Sequence, residues 1–145
     1  MSAPYYYDGK HAFESLATRM DAAPGLSVVL LVNIHRQFGD TTPADELVTR
    51  FAARLWKDDW PGDRQPDVFY DPRSLLLNGP TGVLHAKAIV ADDRAAFITS
   101  ANLTEAAFDR NIEVGILTRD AALAAALARH FEALIARGLL VPLPG

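Results

Sequence analysis

The residues most suited to chemistry lie between positions 84 and 113. His85 and Lys87 stand two apart in LHAKAIVAD (84–92), and Asp92 follows after four intervening residues. In a strand, alternate side chains share a face, so His85 and Lys87 project together, about 6–7 Å apart along the chain. Leu84, Ala86, Ala88 and Val90 then face the core. Asp92 has the parity of the packed face and falls at a turn, so it reads as a support of this strand rather than a substrate contact. Downstream, TSANLT (99–104) places Ser100 and Asn102 on one parity, and NIEVGI (111–116) does the same for Asn111 and Glu113. Such a site offers what phosphodiester cleavage requires. An imidazole can attack phosphorus, and an ammonium and an amide can hold the non-bridging oxygens. A carboxylate on the second ring nitrogen fixes the tautomer and supports the cationic intermediate.

These side chains need a sheet to hold them. Residues 26–34 (LSVVLLVNI) form a near-continuous apolar run, as expected of a strand buried on both faces. Residues 10–20 carry Phe13, Leu16, Ala17 and Met20 at helical spacing, ended by Ala23-Pro24-Gly25. A second helix opens at Thr42-Pro43, with the threonine as cap and Leu47, Val48, Phe51 and Leu55 inward. Residues 57–66 read as a polar loop and 68–70 as a short strand. Residues 83–91 and 95–100 read as a hairpin about Asp92-Asp93-Arg94. A strand over 111–118 follows, with Ile112, Val114 and Ile116 buried. Asp120 caps a last helix facing inward through Leu123, Leu127, Phe131, Leu134 and Ile135, and Gly138 stops it. Residues 139–143 add an edge strand. The order predicts an α/β domain over 1–145, a mixed sheet flanked by helices.

Composition narrows the function classes. The chain has 145 residues, no cysteine and a formal net charge of −4. A disulfide framework and a cysteine nucleophile are excluded. The four histidines are scattered singly, and no ligand-spaced cluster suggests a metal site or another cofactor. The acidic balance counts against non-specific nucleic-acid binding. No apolar run is long enough to span a membrane and the first residues do not read as a secretory leader, so a cytoplasmic protein is expected.

HAKAIVAD, SANLT and NIEVGI together resemble the HxKxxxxD and (G/S)SxN elements of the phospholipase D superfamily. The resemblance implies a phospholipase D/nuclease-like fold and a phosphodiesterase. His85 would be the nucleophile, Lys87 and Asn102 would bind the phosphate, and Ser100 would be a hydrogen-bonding partner. Glu113 would orient His85, and Asp92 would support the motif strand. Thr99 stands where many members have glycine. Only one motif is present, and small single-motif members are homodimeric endonucleases with the site on the two-fold axis. The resemblance thus implies a metal-independent nuclease working through a phosphohistidine, with DNA ahead of RNA as substrate. Other readings are a phospholipid head-group hydrolase or transferase, and a non-enzymatic nucleic-acid-binding or assembly module.

VFYDPRSL (68–75), SANLTEAAFDRNIEVG and YYDGKHAFESLATRM also resemble the phospholipase D-like component of the bacterial DISARM anti-phage system, which implies defence proteins as partners. Relatives of that kind carry a strand before this opening. Here it would be missing or supplied by Tyr5-Tyr6-Tyr7, whose other readings are a dimer contact and a base-stacking platform. His11, His35 and His130 read as structural, and Asn111 as a turn or cap. Trp56 and Trp60 are expected to cover the core, and Arg64, Arg73 and Arg94 to be solvated, with phosphate contact as the other possibility.

Overall fold

The computed structural model describes residues 2–3, 9–78, 81–102 and 109–145. Seven strands form one mixed sheet. In chain order they are β1 (Ser2–Ala3), β2 (Val29–Val32), β3 (Asp67–Tyr70), β4 (Ala88–Ala91), β5 (Ala95–Thr99), β6 (Gly115–Thr118) and β7 (Val141–Pro142). Their order across the sheet is β6-β5-β4-β1-β2-β3-β7. β1, β2 and β3 run parallel to one another. β4, β5, β6 and β7 join through antiparallel pairs. Among the described residues the α-helices are α1 (Gly9–Ala22), α2 (Ala44–Arg54) and α3 (Ala121–Ala136). The α/β class with a mixed, helix-flanked sheet is as the sequence predicts.

The alternation of β2 decides the layers. Leu30 and Val32 belong to one core with Phe13, Ala17 and Met20 of α1 and Val48 and Ala52 of α2. Leu31 belongs to a second core with Leu84 and Leu140, against which Phe131, Leu134 and Ile135 of α3 pack. Adjacent strand residues point to opposite faces, so α1 and α2 cover one side of the sheet and α3 the other. Trp60 is buried against Phe13, with ring centroids 5.7 Å apart, and covers the first core as expected.

Several boundaries differ from the sequence reading. Pro43 takes the N-cap of α2, with no side-chain cap bond, while Thr42 donates its N–H to Asp40 Oδ1 at 2.8 Å. Leu47 and Phe51 are only partly buried. The expected loop after α2 starts as a π-helical turn, Leu55–Asp59, because Leu55 stays in the core and Trp60 N–H reaches back to Leu55 O at 2.8 Å. The central strand comes from Ser2–Ala3, and Tyr5-Tyr6-Tyr7 lies outside the described residues. The strands expected over 83–91 and 111–118 shorten to β4 and β6. Ile112, Val114 and Ile116 are exposed, not buried, because β6 is the sheet edge and no described strand lies beyond it.

The helix stops and caps follow local chemistry. Asp120 Oδ1 accepts from Ala122 N at 2.9 Å and Leu123 N at 3.1 Å. After α3, Gly138 adopts φ +69°, and the Leu139 N–H donates to Leu134 O at 2.9 Å. Only glycine takes that left-handed position without strain. The β4–β5 hairpin turns through Asp92 and Asp93, both at positive φ, with Arg94 N–H donating to Ala91 O. Aspartate tolerates this conformation better than most residues.

Candidate active site

Strand direction brings the motif residues to one edge of the sheet. β4 pairs antiparallel with β1 at Ser2↔Ala88 and with β5 at Ala88↔Ile98. β5 pairs with β6 at Thr99↔Gly115. The residues entering β4, leaving β5 and entering β6 therefore emerge side by side. These are His85 and Lys87, Ser100 and Asn102, and Asn111 and Glu113.

Residues 81–87 are not strand, although Lys87 O still accepts Thr99 N–H at 3.1 Å. The irregular backbone lets the lysine fold back. Its Nζ lies 3.1 Å from His85 Nδ1 and 3.0 Å from His85 Nε2, and it donates to the His85 carbonyl at 3.0 Å. The two groups thus meet more closely than a regular strand would allow. Leu84 and Ala88 are buried, and Ala86 and Val90 half-buried, so the packed parity holds.

Ser100 links the strands. Its Oγ donates to Glu113 Oε2 and accepts the Val114 N–H at 3.1 Å, while its own N–H donates to Val114 O at 3.0 Å. Asn111 Nδ2 donates to Glu113 Oε1 at 3.1 Å. The described hydrogen bonds of Glu113 go to Ser100 and Asn111. Those bonds hold its carboxyl below the ordinary 4.5, and the Lys87 charge adds to the effect. Burial pushes the Lys87 ammonium below its ordinary value, partly opposed by Glu113. Thr99, the residue that departs from glycine, donates to Val114 O at 3.2 Å and accepts Ala101 N–H at 3.0 Å. Asn102 has a buried Oδ1 with no hydrogen-bond partner among the described residues. Gly115 leaves room for Phe97, whose ring would come within 2.8 Å of a Cβ there.

His85, Lys87, Thr99 and Ser100 line a cleft of about 420 Å³, with Leu127 and Phe131 of α3 forming its apolar wall. An exposed imidazole and an ammonium thus share one open site, and Ser100, which lines it, is bonded to the Glu113 carboxylate. Asp92 stands apart. It lies at the hairpin turn, five residues beyond Lys87 and about 16 Å along the strand. Among the described residues, no group of three or more histidine, aspartate or glutamate side chains could hold a metal ion.

The other candidates have structural partners. Arg64 donates to the carbonyls of Met20, Ala23 and Leu26. Arg73 pairs with buried Asp71. Arg64 is half-buried rather than the solvated arginine expected, whereas Arg73, though paired, and Arg94 are exposed. His130 is exposed and meets Phe131 edge-on. The side chain of His11 lies outside the described residues. The sequence reading missed a second cavity, of about 350 Å³, lined by Asn33, His35 and Phe38. The pattern Phe38-Gly39-Asp40, an aromatic in a tight turn, was its available signal.

Comparison with known proteins agrees with this geometry. Residues 5–135 match the family described as cardiolipin synthase, PLD-like domain. Among solved structures the fold is similar to NucT from Helicobacter pylori, with a TM-score of 0.64 at 17% identity, covering 97% of this chain and 80% of that one. No curated protein sequence matches. With the motif residues gathered on one sheet edge and nearly the whole chain matched, the protein belongs to the phospholipase D superfamily.

Proposed function

We propose that the protein is a metal-independent phosphodiesterase that cleaves nucleic acid, DNA ahead of RNA, through a phosphohistidine at the two-fold axis of a homodimer. The observation that carries this reading is the His85–Lys87 pair, set on the same sheet edge as the Ser100–Glu113 pair. A ring nitrogen of His85 attacks phosphorus, and the bond to the leaving oxygen breaks. His85 of the partner subunit protonates that oxygen. Water, deprotonated by the same partner histidine, then attacks phosphorus and breaks the P–N bond. Lys87 and Asn102 hold the non-bridging oxygens where negative charge develops. Glu113 balances the lysine and supports the cationic imidazole, with Ser100 and Asn111 fixing its carboxylate.

Two observations support the dimer. The chain supplies one histidine–lysine motif to a chemistry that uses two histidines. The edge strand β6 also leaves Ile116 and Leu117 exposed, as is Val114 just before it. An exposed apolar sheet edge is normally covered, and a second copy would cover it while bringing the other histidine. The sequence resemblance to the DISARM component adds anti-phage defence as the setting. The matched family name favours a second reading, transfer or hydrolysis at a phospholipid head group, which would use the same residues. The decisive experiment offers purified protein single- and double-stranded DNA, RNA and phospholipid vesicles in EDTA. DNA cleavage that His85→Ala abolishes supports the proposal. Turnover of vesicles alone would replace the substrate, and a requirement for added metal would overturn the mechanism.

A further inference from the structure

The loop that leaves β2 builds a cavity on the same sheet edge as His85. β1 is parallel to β2 at Ser2↔Leu31 and antiparallel to β4 at Ser2↔Ala88, so the residues after Val32 and those before Ala88 emerge together. The cavity holds about 350 Å³ and its lining includes Val83, two residues from His85 and therefore at most about 7 Å along the chain. A volume of this order suits a small planar ligand.

The lining is apolar with a few polar groups. Phe38, Leu76, Leu77 and Val83 supply exposed hydrophobic surface, and Asn33 and His35 lie on the polar side. Phe38 has a relative exposure of 107%, an unusual cost for an aromatic ring. It sits at the second position of a turn from Gln37 to Asp40, closed by Asp40 N–H to Gln37 O at 3.1 Å, with Gly39 at φ +81°. The turn is braced from within. Arg36 donates to Leu75 O at 3.0 Å, Asp40 O at 2.9 Å and Thr42 O at 2.7 Å. Asp40 Oδ1 accepts from Thr42 N at 2.8 Å. The ring is thus displayed by a fixed frame. Asn33 is buried at 6% exposure, and its Oδ1 has no hydrogen-bond partner among the described residues. A turn about its last torsion presents either end of the amide.

We propose that this cavity receives the base of a nucleotide flanking the scissile phosphate, with Phe38 as the stacking face and the Asn33 amide as the hydrogen-bonding contact. The proposal rests on the reading of the neighbouring site as a nucleic-acid phosphodiesterase. Stacking accepts any base, because each has a π-face. The subsite therefore confers register on a strand rather than strict sequence choice.

The test measures binding of a fluorescent single-stranded oligonucleotide, and of the same backbone made abasic, to the full chain carrying His85→Ala. Adding Phe38→Ala should weaken the base-bearing strand by about 5- to 150-fold, the range for one lost stack. Phe38→Tyr should restore it, and the abasic strand should show no comparable loss. Asn33→Ala gives a second reading should the loop variant perturb folding, and it should also weaken the base-bearing strand selectively. Equal affinity of Phe38→Ala and its parent for that strand, or equal loss on the abasic strand, overturns the subsite. Native protein is assayed separately on bis(p-nitrophenyl) phosphate. Failure there removes the phosphodiesterase reading, whereas turnover there with unaltered oligonucleotide affinity in Phe38→Ala removes the subsite alone.

Discussion

Lys87 Nζ sits 3.0 Å from His85 Nε2 and 3.1 Å from His85 Nδ1, so the ammonium lies against the imidazole edge that carries both nitrogens. A lysine donates and cannot accept, so a ring nitrogen that takes its proton must offer a lone pair. In the proposed reaction the same cation is at hand for the phosphate oxygens. Lys87→Ala, Lys87→Met and Asn102→Ala should each lower turnover by about 10²–10³-fold, the usual loss for an oxyanion donor. His85→Ala should abolish turnover with unchanged circular dichroism. An acid-labile phosphoenzyme trapped in native protein and absent from His85→Ala would locate the covalent step. Undiminished hydrolysis by His85→Ala would remove it.

Glu113→Gln keeps the shape while removing the charge and one of the two acceptor oxygens. Turnover should fall steeply, with little change in substrate affinity or dimer stability. Ser100→Ala should have a smaller effect in the same direction, because Asn111 still holds Oε1. Steady-state kinetics that show only a raised KM for Glu113→Gln would assign the residue to substrate binding instead.

Acid stability follows from the depressed carboxylates. The backbone N–H groups of Arg64 and Asp63 bind Asp21 and lower its pKa from 3.8. For Asp71, burial alone would raise the value, but the bonds and charge of Arg73 outweigh it and the net shift is downward. A carboxyl with a folded value below its unfolded one stabilises the fold above the unfolded value, and that contribution is lost as pH falls through the folded value. Urea unfolding should therefore show stability falling with pH from about pH 4 downward. Asp21→Asn should flatten that fall, and an unchanged slope would remove Asp21 from the account.

The dimer proposal makes β6 sensitive. Ile116→Glu should leave the monomer folded, since Ile116 is exposed, yet abolish dimerisation and turnover together. Light scattering alongside the nuclease assay would show it. A native protein that is monomeric at working concentration, with activity linear in concentration, would defeat the shared site.

Asp120→Ala should cost about 0.5–2 kcal/mol of stability by freeing two N–H groups of α3, as read from urea midpoints at constant slope. Activity per folded molecule should be little affected.

Legibility in the sequence varied with the physical origin of each feature. The cap at Asp120, the stop at Gly138 and the inward row of α1 arise from neighbours in the chain, and the sequence reading agrees with the structure there. β2 was legible because burial on both faces leaves an unbroken apolar run. β6 was not, because Ile112, Val114 and Ile116 look the same in sequence whether they face a core or an uncovered edge. Parity alone put His85 and Lys87 on one side, but not the closer approach that the irregular backbone permits. The pairing of Ser100 with Glu113 depends on register across β5 and β6, which no local pattern specifies. The cavity at Phe38 depends on where the loop after β2 passes the segment before β4, residues about fifty positions apart.

The strand β1 contributes two residues to the middle of a seven-stranded sheet. Among the described residues, the seam between the two sets of strands, β6-β5-β4 and β2-β3-β7, is made of these two residues. α3 works as a splint across it, since its residues pack against Leu31 of β2 and Leu84 beside β4. The edge that carries His85 and Lys87 rides on one piece and the braced loop at Phe38 on the other. Small slippage along the seam would then change the gap between them, and the stiffness of α3 limits how far it can change.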